Sequence, residues 1–191
     1  VFDSSNSQWI SATFDSNSNK IVIAYKDGGN SNYGTAIVGT VSGTSISFGS
    51  AVVFKSSSTQ YTSASFDSLN NKVVVAYVNA GSSDAGEAVV GTVSGTSISF
   101  GSSVQFNTAS SYVGSVFDTS INKVIISYRD DGSGYGEVIS GEVSDTPISF
   151  GSSSTFESDS VFFVYPAFDS SNNKIVISYR DGGNSDYGTS V

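Results

Sequence analysis

Four copies of one phrase run through this chain. Phe-Asp-Ser/Thr, a short polar gap, then Asn-Lys and a β-branched run ending in Tyr occur at Phe14–Tyr25, Phe66–Tyr77, Phe117–Tyr128 and Phe168–Tyr179. The leading Phe residues are 52, 51 and 51 positions apart. A second phrase, Gly-Thr-Val-Ser-Gly-Thr-Ser-Ile-Ser-Phe-Gly-Ser, fills Gly39–Ser50 and Gly91–Ser102 and returns in altered form at Gly141–Ser152. A fixed period of this length means that one supersecondary unit is repeated and stacked, because a single unit cannot bury its apolar face alone.

Within a unit the signals are those of strands. Trp9–Phe14 is β-compatible, and Asp15–Asn19 is a turn of residues that bond their own backbone. Lys20–Tyr25 is a continuous apolar run, which predicts burial on both faces. Asp27–Asn32 is a loop, Thr35–Val41 a third β run, and Ser42-Gly43-Thr44 a tight hairpin turn. Ser45–Ser50 alternates polar with apolar, as a strand with one wet face does. No segment carries an apolar period of 3.6. The prediction is all-β: a β-propeller of four-stranded antiparallel blades, since kelch-type repeats run ~50 residues and WD-type ~40–45. Residues 1–191 form one repeat domain, with blades at 9–54, 61–106, 112–156 and an incomplete 163–191. Val1-Phe2 matches Val53-Phe54, and Val191 falls where Ile37 lies in the first copy, which reads as a window on a longer repetitive chain.

Composition narrows the chemistry. Lys and Arg total 8 against 17 Asp and Glu, a net charge of −9. An acidic chain without a basic cluster is a poor partner for nucleic acid, and no apolar stretch nears the ~20 residues of a membrane span. There is no Cys and no His, which removes thiol nucleophiles, the commonest general base and any Ser-His-Asp arrangement. A carboxylate pair made by a four-fold repeat would be made four times, whereas catalytic centres are singular. The expectation is therefore no enzymatic activity and no required cofactor.

The unit divides into a short-turn side and a side with longer, more varied loops. On the latter, an aromatic precedes each first-strand Phe by five residues: Trp9, Tyr61, Tyr112 and Phe163. The loops between second and third strands add Asp27, Asn79, Asp130 and Asp181, with Tyr33, Tyr135 and Tyr187, Ala85 being the exception. Rings beside amides and carboxylates are the materials of a sugar-binding surface. Each series has a second explanation: the aromatics as packing between blades, the Asp residues as turn caps. A Ca²⁺ ion on Asp181, Asn184 and Asp186 is a further alternative for that loop. Lys20, Lys72, Lys123 and Lys174 open the second strands as solvated gatekeepers.

Ser42–Phe48 and Ser94–Phe100 resemble a degenerate Asp-box hairpin of sialidase-type propellers, without that motif's Asp and Trp. Over its whole length the chain more closely resembles tandem repeats of long structural proteins of marine phages, cyanophages especially, and aquatic microbes. The resemblance implies a virion or cell-surface location and no catalytic residues. The expected function is a non-catalytic binding or adhesion module that contacts a glycan or other surface receptor through the long-loop side. The alternatives are a purely structural spacer or assembly scaffold, joined to further repeats or other copies of the chain, and a non-catalytic part of a glycoside-acting enzyme.

Overall fold

The computed structural model describes residues 1–191 and contains seventeen strands and no helix. Each unit is an antiparallel meander. In the first, β1 (Ser7–Asp15) pairs with β2 (Lys20–Asp27), and β2 with β3 (Tyr33–Ser42). The fourth position is a broken strand. β4 (Ser45–Phe48) pairs with the far end of β3, while the start of β5 (Val52–Asp67) pairs with its near end. Alternation in Ser45–Ser50 shows only the first of these pieces; the second is visible once the chain bends back after Phe48.

β5 is 16 residues long because it then becomes the first strand of the second unit. That unit continues with β6 (Lys72–Asn79), β7 (Ala85–Ser94), β8 (Ser97–Phe100) and β9 (Val104–Asn107). Continuity through β5 joins the first two units into one nine-stranded sheet that curls into a half-barrel. The third unit holds β10 (Ser110–Asp118), β11 (Lys123–Asp130), β12 (Gly136–Glu142), β13 (Ser149–Phe150) and β14 (Ser154–Glu157). The fourth is a three-stranded sheet of β15 (Val161–Asp169), β16 (Lys174–Asp181) and β17 (Tyr187–Ser190).

The repeated phrase has local causes. Asp15 Oδ1 accepts hydrogen bonds from the Asn17 and Ser18 amides at 2.9 and 3.0 Å, and Asp67, Asp118 and Asp169 cap the same turn. The turn closes at Asn19, Asn71, Asn122 and Asn173, all with φ between 53° and 55°. Asn tolerates this left-handed conformation better than most residues, so it precedes every strand-opening Lys.

The central strand explains the unbroken apolar run. Val73, Val75 and Tyr77 on one face of β6 pack toward the first unit; Val74, Ala76 and Val78 on the other pack toward the third. Each interior unit is thus covered on both sides. A Phe from each fourth strand clamps the next unit's Tyr: Phe54 on Tyr77 with ring centroids 5.1 Å apart, Phe106 on Tyr128 at 5.1 Å, Phe156 on Tyr179 at 5.3 Å.

Burial pushes the phenols of Tyr25, Tyr128 and Tyr179 up to about 12 and that of Tyr77 further, with nearby carboxylates adding to the effect. A free phenol ionises near ~10. These tyrosines therefore stabilise the fold fully below that value, and the contribution is lost as pH rises through their folded values. In an alkaline titration, the last tyrosines to ionise are expected to do so cooperatively with loss of β circular dichroism, above about pH 11. Ionisation of all ten tyrosines by about pH 10 with the fold intact would contradict this burial.

Candidate binding site

The first strands of the four units lie side by side, and each carries the same defect. Pairing with the second strand breaks between Gln8 and Ser11, Gln60 and Ser63, Ser111 and Gly114, and Phe162 and Tyr165. Two residues bulge out at each break. The first is the aromatic at Trp9, Tyr61, Tyr112 or Phe163, with φ of 51°, 48°, 51° and 54°. A bulge re-aims a side chain, and a bulky residue in this region costs on the order of 1–3 kcal/mol. The second bulged residue is buried in three of the units, as Thr62, Val113 and Val164, and exposed in the first, as Ile10.

The four rings form one continuous column. Trp9 and Tyr61 have centroids 4.3 Å apart, Tyr61 and Tyr112 5.1 Å, Tyr112 and Phe163 5.1 Å. They line a groove of about 400 Å³ together with flanking residues of the same strands, including Ile10 and Tyr165. Trp9 is 41% exposed and Phe163 53%, while Tyr61 and Tyr112 are half-buried between them. Burial raises the Tyr61 phenol, and so do the neighbouring Tyr112 hydroxyl and the carboxylates of Asp131 and Asp84. The apolar column thus has two phenol hydroxyls in its middle.

Hydrogen bonds between neighbouring first strands hold the column in register. Ser11 Oγ accepts from the Ala64 amide at 3.0 Å, and Ser63 Oγ from the Ser115 amide at 2.9 Å. The Thr62 hydroxyl donates to the Trp9 carbonyl. At the third junction both partners are missing together: Gly114 has no hydroxyl, Pro166 has no N–H, and a Cβ on Gly114 would lie 2.4 Å from the proline ring. Small against flat replaces donor against acceptor, so no buried group is left unpaired.

At the Phe163 end, Phe162 takes two cations. The Arg180 guanidinium lies 4.1 Å from its centroid and that of Arg129 4.9 Å. Both Nε atoms are buried without a hydrogen bond, the nearest carboxylates being Asp131 at 3.6 Å and Asp186 at 3.7 Å. Arg129 and Arg180 thus combine a ring contact with a carboxylate partner at this end of the groove.

The remaining predicted residues are placed differently. Asp27 Oδ1 accepts from the Gly29 and Asn30 amides, Asp130 from Gly132, Ser133 and Asn107, and Asp181 from the Gly183 and Asn184 amides. Asn79 is buried, its amide donating to Glu87 and its carbonyl accepting from Ser57. The three Asp side chains cap their own loops, while Asn79 ties β5 to β7. Tyr33, Tyr135 and Tyr187 stand at or beside the start of the third strands, outside the groove lining; Tyr135 and Tyr187 are exposed, and Ala85 in their place is buried. Around the Asp181, Asn184 and Asp186 loop, Asp181 is a turn cap and Asp186 faces Arg180; no three acidic side chains converge anywhere in the chain.

Phe162, which packs on Tyr112, and Tyr165 belong to the site region and escape sequence reasoning. Each adjoins a repeating position but occurs in one copy only, so the period conceals it. Compared with protein-family models and with curated proteins, the chain matches none.

Proposed function

We propose that this chain is a non-catalytic binding module of a surface or virion-appendage protein, that its units are propeller blades, and that the aromatic groove takes a glycan. The observation that carries the reading is the column of four rings, each held at positive φ by its own bulge. Strain of this kind persists where the position of a side chain matters more than the stability it costs. Ring faces take the apolar face of a pyranose, and the Tyr61 and Tyr112 hydroxyls supply partners for sugar hydroxyls. Side-by-side first strands and face-to-face sheets support the blade reading.

Trp9 is the sole tryptophan, so its fluorescence reports directly on the groove. Titration with an array-selected neutral oligosaccharide is expected to shift that emission, and Tyr61→Ala or Tyr112→Ala to weaken binding about tenfold or more, equivalent to ~1.4 kcal/mol each. Trp9→Asn, read by calorimetry, is expected to lose binding while keeping or gaining up to about 1 kcal/mol of stability, because Asn accepts the backbone conformation. A variant that melts early and binds normally would make the column a packing device and overturn the reading.

A further inference from the structure

The two ends of the stack carry the two halves of an interface that is already built three times inside the molecule. Between the second and third units, the third presents Val113, Phe117, Val124, Ile126, Val143 and Ile148, all buried in one cluster. The same positions in the first unit are Ile10, Phe14, Ile21, Ile23, Val41 and Ile46. Every one is still apolar. Yet Ile10 is 53% exposed, Phe14 51%, Val41 56% and Ile46 43%, with Ile21 and Ile23 half-buried. A terminal unit that faces water carries a polar outer face; this one keeps the chemistry of an interior junction.

The opposite end presents the other half. Val176, Ser178 and Arg180 of β16 stand where β11 places Ile125, Ser127 and Arg129, the face that mates with the fourth unit. Val176 is exposed. The outer edge of β17 is also unpaired. At the head of the chain, the ring of Phe2 lies on Tyr25 at 5.2 Å, as Phe54 lies on Tyr77. In the first unit Val53 pairs with Thr35 of β3. By the same spacing Val1 is the partner that Thr189 of β17 lacks.

We infer that the outward face of the first unit docks the fourth unit of a second copy of this chain, head to tail. Val1–Phe2 of one copy adds to the free β17 edge of the other as its fourth strand, by β-augmentation. The six apolar side chains then close on the Val176 face as their counterparts close inside the chain. The contact is heterologous, so it continues until the rotation closes a ring.

The test is sedimentation of the 191-residue chain across concentration, starting from a 19.8 kDa protomer. Concentration-dependent dimers or a ladder of larger species are expected. Ile46→Lys on the head face and Val176→Lys on the tail face are each expected to weaken association at least tenfold. Mixing the two variants restores a one-to-one dimer through the intact head of one and the intact tail of the other. Leu69→Lys, exposed on a short turn, leaves association unchanged. A monomer at every concentration overturns the inference. Association that survives Val176→Lys alone also overturns it, because a head-to-head contact would not need the tail.

Discussion

Phe54→Ala is expected to lower the stability of the chain by about 3–5 kcal/mol, the range for emptying a buried aromatic site. Phe54 is buried in the first inter-unit cluster, 5.1 Å from Tyr77 and 5.6 Å from Phe100. Its ring also covers Gly34, where a Cβ would come within 2.4 Å of it. Collapse into the vacancy is blocked, since Gly34 brings no side chain and both neighbouring sheets are fixed by ladder hydrogen bonds. The truncation therefore removes transfer energy and leaves a cavity at a junction that joins two units. The same substitution at Phe2, which makes the equivalent contact with Tyr25 but is only half-buried, is expected to cost less than half as much. Urea unfolding of both variants measures the difference; equal losses would show that the junction is not what Phe54 stabilises.

Lys55→Met is expected to cost about 3 kcal/mol at neutral pH and progressively less as pH falls. Burial alone drives the Glu87 carboxyl upward, but bonds from Lys55 at 2.7 Å, Asn79 at 2.8 Å and Tyr77 at 2.8 Å outweigh it and hold the group below its ordinary value. With a depressed folded pKa, Glu87 contributes stability above the unfolded value of ~4.3 and loses it as pH falls through the folded value. Removing Lys55 deletes the only cation in the cluster. Burial then dominates, the folded pKa rises above the unfolded one, and the dependence reverses: the variant gains stability as acid protonates Glu87. Melting temperatures from pH 7 down to about 4 measure both slopes. Parallel curves for the parent and Lys55→Met would remove the ion pair from the account.

The repeat made most of the fold legible. Strand positions, the Asp15-type turn and the doubly apolar second strand follow from side-chain chemistry within a few neighbouring residues, and that chemistry is written four times. The same repetition hid what differs between copies. Phe162 is a Gln or Ser in the other units, and its role exists only because Arg129 and Arg180 arrive from two different second strands. The split fourth strand was also hidden, since Val52–Lys55 shows its partner only when the chain has turned back onto β3.

For the candidate site, residue identity gave two aromatic series of similar appearance. Backbone conformation separated them: the Trp9 series sits on bulges whose positive φ turns all four rings to one side, and the Tyr33 series does not. Asp27, Asp130 and Asp181 are close enough to their own loop amides that capping takes their oxygens, an outcome of loop geometry measured in tenths of an ångström.

The amino-acid sequence by itself determined the all-β architecture, the period and the place of every tight turn, because those depend on local propensity and pattern. Only the tertiary structure decided which rings meet, which carboxylates stay with their loops and which apolar faces end uncovered. Those depend on how one unit is set against the next, and a repeated unit carries the same local pattern whether its neighbour is another unit or water.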